Sequence, residues 1–193
     1  DGAAFSRSSL AQTDARLASR FDAGEAVDKL VALRTRAADA LILEAWQRCI
    51  PPDAGLALFA VGGYGRGELF PHSDIDLLVL AESDVQQAQQ PALARFLAVL
   101  WDAGLQASQA VRSPAQCTES AADQTVLTAL MEARPLVADE AAQGRLRDAI
   151  SPERVWPARA YVEAKQHEQE QRHARFGDTS DNLEPNLKDG PGG

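Results

Sequence analysis

The order of apolar patterns predicts an α+β (α/β-like) fold: a small mixed β-sheet core flanked by N-terminal and C-terminal helices. Three observations carry that expectation. Helical periodicity fills the first fifty residues. Two short apolar runs in the middle of the chain read as buried strands, with a glycine-rich turn between them. Helical patterns with many charged residues return toward the C-terminus.

From Leu10 to Cys49, apolar stripes through Leu17, Phe21, Leu30, Leu33, Leu41 and Trp46 alternate with charged residues, and Gly24 separates two helices. Pro51-Pro52-Asp53-Ala54-Gly55 is a breaker cluster. Leu56–Val61 and Ile75–Leu80 are the two expected strands. Pro91–Trp101 reads as a helix stopped near Gly104, and Leu105–Val111 as a third, weaker strand. Ser120–Val137 is expected to be mostly helical, and Gly144–Ile150 to add a short helix. Ser151-Pro152-Glu153 looks like a helix start, with serine as cap and proline in the first turn. A long polar helix is expected over Ala158–Arg175, followed by loop. The resulting division is 1–50 helical segment, 51–150 core, and 151–193 C-terminal helix and glycine-turn segment. The close on Lys188-Asp189-Gly190-Pro191-Gly192-Gly193 suggests a piece cut from a longer polypeptide.

Composition narrows the classes of function. Hydrophobic residues make up 45% and charged residues 24% of the 193, enough for a sizeable core in a water-soluble chain. The formal net charge of -9 argues against a nucleic-acid partner, whose footprint would be a basic patch. It leaves nucleotide binding open, because a bound cation supplies positive charge locally. No apolar run approaches the roughly 20 residues that span a bilayer, so no membrane partner and a cytoplasmic location are expected. Cys49 and Cys117 lack metal-site spacing and read as buried free thiols.

The chemistry is concentrated between Gly62 and Asp76. Gly62, Gly63, Gly65 and Gly67 occupy four of six consecutive positions after a buried strand. Glycine lets the backbone turn sharply and approach a ligand closely, and amide N–H groups at such a turn attract phosphate oxygens. Arg66 offers a permanently charged fork for phosphate or an ion pair with Glu68. Asp74 and Asp76 stand two apart at the start of an apolar strand, so both side chains take one face of the sheet. Their mutual repulsion is relieved by a divalent cation with a preference for hard oxygen ligands, and Mg²⁺ keeps positions open for substrate phosphates. Two such ions bridged by the carboxylates, a two-metal mechanism, would activate an attacking hydroxyl and stabilise a leaving pyrophosphate. Ser73 reads as a turn residue that orients Asp74, and His72 as a loop residue. The catalytic and metal-binding pair is therefore Asp74 and Asp76. Gly62, Gly63, Arg66, Ser73 and Lys188 form the nucleotide-binding set.

The Gly62-Gly63 turn followed by Ser73-Asp74-Ile75-Asp76-Leu77 resembles the DNA polymerase β-like nucleotidyltransferase superfamily. The longer string Ala60–Leu80 is similar to one member family, the bifunctional uridylyltransferase/uridylyl-removing enzymes of bacterial nitrogen regulation (PII uridylyltransferases). Leu100–Leu105 with Val111-Arg112-Ser113, Arg172–Asp178 and Asn182–Gly193 look like further blocks of that family. The resemblance implies the nucleotidyltransferase portion of such an enzyme. It also implies Mg²⁺ as cofactor, UTP as donor, and a tyrosine of the PII signalling protein as acceptor. Uridylyl removal and the response to glutamine would reside in domains outside these 193 residues.

Two departures stand out. Where the family usually carries Glu and Gly-His, this chain reads Leu105-Gln106-Ala107-Ser108-Gln109-Ala110. The third metal carboxylate common in the superfamily is unassigned among Asp102, Glu132, Glu184 and Asp189. Lys165, Lys188 and Asn186 are weaker site candidates; Lys188 and Asn186 belong to the glycine-turn block, and Lys188 is counted with the nucleotide-binding set through it. An adenylyltransferase and a non-catalytic nucleotide-binding regulatory module are the alternative functions.

Overall fold

The computed structural model describes residues 8–175. The chain opens with a helical hairpin, α1 (Ser8–Asp22) and α2 (Val27–Cys49), broken at Gly24, whose φ of 85° suits glycine. Strand β1 (Ala57–Ala60) runs into a single helical turn, α3 (Gly62–Gly65), and a loop leads to β2 (Ile75–Leu80). Helix α4 (Ser83–Asp102) crosses to β3 (Ala107–Arg112). Then come α5 (Pro114–Ser120), α6 (Gln124–Met131), β4 (Arg134–Val137), α7 (Glu140–Ala149) and α8 (Ala158–Arg175).

The four strands form one mixed sheet in the order β3-β2-β1-β4. β1 is antiparallel to both β2 and β4, whereas β2 and β3 are parallel. The parallel pair is joined by α4, the kind of long crossover that parallel strands require. Alternation along the central strands splits the core between two faces. Leu58, Ala60, Ile75, Leu77 and Val79 pack toward Ile42, Trp46, Phe96 and Leu100 of α2 and α4. Phe59, Val61, Leu78 and Leu80 pack toward Cys117, Leu127 and Leu146 of α5, α6 and α7. Trp46 and Phe96 meet edge to face at 5.2 Å between ring centres, locking α2 to α4.

The α+β class, the break at Gly24 and the Ile75–Leu80 strand all agree with the sequence reading. Four local expectations need correction. Ser120–Val137 is not continuously helical: Arg134–Val137 is the edge strand β4. A run this short and half apolar carries no distinguishing period, and its Pro135 sits beside the register shift between β1 and β4. Helix α4 starts at Ser83 rather than Pro91, because its first two turns are mostly polar and lack an apolar stripe. Helix α7 starts at Glu140, capped by the Asp139 side chain on Ala142 N. Ser151–Glu153 lies in a turn, not at a helix start.

Both cysteines are free and buried, as expected. Burial pushes the Cys117 thiol up to about 11, against the opposing charge of Arg112. Reaction requires the thiolate, so Cys117 should resist iodoacetamide at pH 8 in the native protein and label readily in urea. Mass spectrometry of the alkylated peptides checks this; rapid native labelling would contradict the packing of α5 against the sheet.

Candidate active site

The glycine turn and the aspartate strand are brought together by β-pairing. Ala60 pairs with Leu77, and the ladder is extended by Val61 N–H donating to the Asp76 carbonyl at 3.0 Å. Gly62 therefore stands beside Asp76: a Cβ on Gly62 would lie 3.8 Å from Asp76 Oδ2. Gly62 has a φ of 59°, a conformation that glycine adopts at no steric cost. Gly65 is fixed for another reason. A Cβ there would fall 2.2 Å from the Glu132 carbonyl oxygen and 3.0 Å from that of Ala60, so the turn seats directly on backbone.

Asp76 occupies the second position of β2 and is half-buried, while Asp74 immediately precedes the strand and is exposed. Across the parallel pair, Asp76 faces Ser108 of β3, whose hydroxyl donates to Asp76 Oδ1 at 2.8 Å. One carboxylate oxygen is thereby oriented by β3 and the other lies toward Gly62. Asp74 and Asp76 line an open groove of about 600 Å³ with Trp101, Gly104, Gln106 and Ser108. Two hard carboxylates beside an open groove are a donor set that suits Mg²⁺, which takes one or two protein carboxylates and completes its shell with water and phosphate oxygens. Among the described residues, no three His, Cys, Asp or Glu side chains gather into a metal cluster. Asp102 and Glu132 thus do not join the aspartate pair as a third carboxylate, and Glu184 and Asp189 lie outside the described residues.

Arg66 is exposed and bridges two carboxylates, Nε to Glu68 Oε2 at 2.7 Å and Nη1 to Glu132 Oε1 at 2.8 Å. The bonds to Glu68 and then Glu132 hold its guanidinium above its ordinary pKa, so it stays cationic. The Nη2 atom lies 3.6 Å from where a Gly63 Cβ would sit, against the turn. The ion pair with Glu68 is thus formed, and phosphate would have to compete with two carboxylates for this fork. Ser73 donates its backbone N–H to the Phe70 carbonyl at 3.0 Å, a turn placement just before Asp74. His72 is exposed with a φ of 66° at the tip of the same loop. Lys165 is paired with Glu168 on the charged helix α8. Lys188 and Asn186 lie outside the described residues, as does the whole of the expected glycine-turn motif.

The sequence reading missed a polar seam that holds the 62–73 loop to α2. Tyr64 donates its hydroxyl to Asp39 Oδ1 at 2.5 Å. Arg134 of β4 closes a two-pronged bond on Asp39, at 2.9 and 3.0 Å, and its guanidinium carbon lies 5.3 Å from the centre of the Tyr64 ring. Burial and the Asp39 contact raise the Tyr64 hydroxyl above its ordinary pKa, so it remains a donor. Thr35 Oγ1 reaches the Gly67 carbonyl at 2.8 Å and accepts from Leu69 N–H at 3.3 Å. Arg34 donates to the Phe70 carbonyl at 3.0 Å while its other nitrogens hold Asp14. The available signal was Thr35 and Asp39 at helical i, i+4 spacing inside an otherwise apolar stripe.

These contacts separate the glycines. Gly65→Ala should cost about 2–4 kcal/mol by forcing backbone apart. Gly63→Ala, whose Cβ meets nothing closer than 3.6 Å, should unfold close to the parent. Urea denaturation of both variants checks this, and equal stability would contradict the seating of the turn on Glu132.

Two family models match parts of this chain. The family model described as "Nucleotidyltransferase domain" matches residues 41–137. A second, described as "GlnD PII-uridylyltransferase", matches residues 160–193. Similar proteins include a bifunctional uridylyltransferase/uridylyl-removing enzyme of Xanthomonas campestris pv. campestris (strain 8004), 63% identical over 100% of this chain and 22% of the relative. A protein of the same description from Pseudomonas aeruginosa is 45% identical over 92% of this chain and 20% of its own length. The chain thus spans about a fifth of the length of these relatives. A solved structure described as "Crystal structure of the toxin-antitoxin with AMP-PNP" aligns with 72% of this chain and 96% of its own, at 18% identity and a TM-score of 0.33. With its glycine turn set against a strand-borne aspartate pair, and with the family match running through both, this chain belongs to the nucleotidyltransferase domain family.

Proposed function

We propose that this chain carries the donor site of a protein uridylyltransferase, which moves UMP from UTP to a tyrosine of a PII signalling protein and releases pyrophosphate. The single observation that carries the reading is the approach of Gly62 to the Asp76 carboxylate, which sets a phosphate-attracting turn beside a cation-binding pair. The choice of UTP rests on the relatives named above, whose description specifies uridylyl transfer, and that of PII on the description of the family model matched at residues 160–193.

Asp74 and Asp76 would hold Mg²⁺, with Ser108 fixing the orientation of Asp76. Two such ions bound there would supply Lewis-acid charge for activating a hydroxyl and for stabilising pyrophosphate as it leaves. The amides of the Gly62–Gly65 turn would orient the triphosphate. Arg66 would add positive charge at the turn once its carboxylate partners yield to phosphate. The open groove along Trp101 and Gln106 leaves room for an acceptor to reach the same point. An adenylyltransferase using the same site, with another protein or a small molecule as acceptor, is the second reading.

Asp76→Asn keeps the shape of the side chain and removes a ligand charge. Transfer of label from α-labelled UTP to a PII protein should fall by several orders of magnitude while thermal unfolding stays cooperative. Near-normal transfer by this variant would refute the metal assignment. Competition of UTP by ATP, CTP and GTP in the same assay decides the base: preference for ATP would favour the adenylyl reading.

A further inference from the structure

We infer that Arg34, Thr35 and Asp39 of α2 are positioning residues of the nucleotide site, although all three precede residue 41, where the match to the nucleotidyltransferase family begins. The inference rests on the donor reading above and extends the site to the part of α2 that precedes the matched stretch.

The loop from Gly62 to Ser73 carries the phosphate-facing turn at one end and leads into Asp74 at the other. It contains one helical turn and otherwise no regular structure, so its shape must come from elsewhere. α2 supplies it at three points in sequence order along the loop and in reverse along the helix. Asp39 takes the Tyr64 hydroxyl, Thr35 brackets Gly67 and Leu69, and Arg34 takes the Phe70 carbonyl. Arg34 and Thr35 are the buried charged and polar residues of this helix, at 8% and 5% exposure. Apolar side chains would fasten a helix to a loop equally well and without desolvation cost. Directional bonds instead select one backbone shape, the property a phosphate-binding turn needs and a simple packing contact does not. Arg134 anchors Asp39 by pairing with both of its oxygens. Because Tyr64 sits inside the turn and its carbonyl also lies 3.4 Å from Arg134 Nη2, loosening Asp39 releases the turn itself.

Titration of UTP with Mg²⁺ by calorimetry, using the intact protein, tests this with Asp39→Asn, Thr35→Val and Tyr64→Phe. Each should weaken UTP binding by about five- to ten-fold, the loss expected for one directional contact to the turn. Mn²⁺ binding without nucleotide, followed by electron paramagnetic resonance, should change by less than about two-fold, because Asp76 is held by β2 and β3. Lys29→Ala, on the same helix at an exposed ion pair, should bind UTP as the parent does. Tyr64→Phe removes one oxygen and retains the ring, so it answers the question even if Asp39→Asn folds poorly. Unchanged UTP affinity in Tyr64→Phe and Thr35→Val, with only the melting temperature lowered, would overturn the inference and leave α2 a purely structural support. Failure of the parent protein to bind any Mg²⁺–nucleoside triphosphate would overturn the donor reading, and this inference with it.

Discussion

One backbone hydrogen bond, from Val61 N–H to the Asp76 carbonyl, governs the rest of the site. It is the last rung of the β1–β2 ladder, and it fixes which residue of the turn meets which residue of the strand. A slip of one residue would turn Asp76 to the opposite face and place Ile75 or Leu77 beside Gly62. The slip is resisted by the cores on both sides of the sheet, since Leu58, Leu77 and Val79 would exchange surroundings with Phe59, Leu78 and Leu80. Hydrophobic alternation in the buried strands thus sets the geometry of two exposed polar groups.

Charge around the site follows from the same arrangement. Asp74 and Asp76 concentrate negative charge at one end of a protein already at -9. Nearby positive charge is held in reserve by carboxylates: Arg66 by Glu68 and Glu132, and Arg134 by Asp39. On the proposed reading a triphosphate would bring further negative charge, to be offset by a cation at the aspartates and a cationic side chain freed at the turn. The two arginines differ in how readily they are freed. Arg66 is exposed and its pairs are screened by solvent, whereas Arg134 is half-buried and engaged on two oxygens.

Much of this was legible in the sequence because its signals were local. The turn glycines, the aspartate pair and the strand that follows lie within one short stretch, and each follows from a side-chain period or a backbone requirement. What stayed hidden depended on register or on distant partners. Ser108 stands opposite Asp76 only because β2 and β3 pair in parallel at that register, which no spacing within either strand reveals. β4 was hidden because four residues containing a proline have no readable period. The Ser113-Pro114 helix start, with Gln116 completing a capping box, was readable in principle, but it lies beside a weak strand that absorbed the attention of the pattern. Asp39, Thr35 and Arg34 belong to a helix whose apolar stripe explains its burial without them.

The central claim is that the Gly62–Gly65 turn and the Asp74–Asp76 pair bind one metal–nucleotide complex between them. Paramagnetic broadening of backbone amide signals in the isotope-labelled chain measures this directly, with Mn²⁺ added first alone and then with UTP. The account predicts that Mn²⁺–UTP broadens the amides of Gly62, Gly63, Asp74 and Asp76 together, ahead of those in α7 and α8. Broadening at the aspartates with the Gly62 and Gly63 signals left sharp, or broadening centred on another part of the fold, would contradict it.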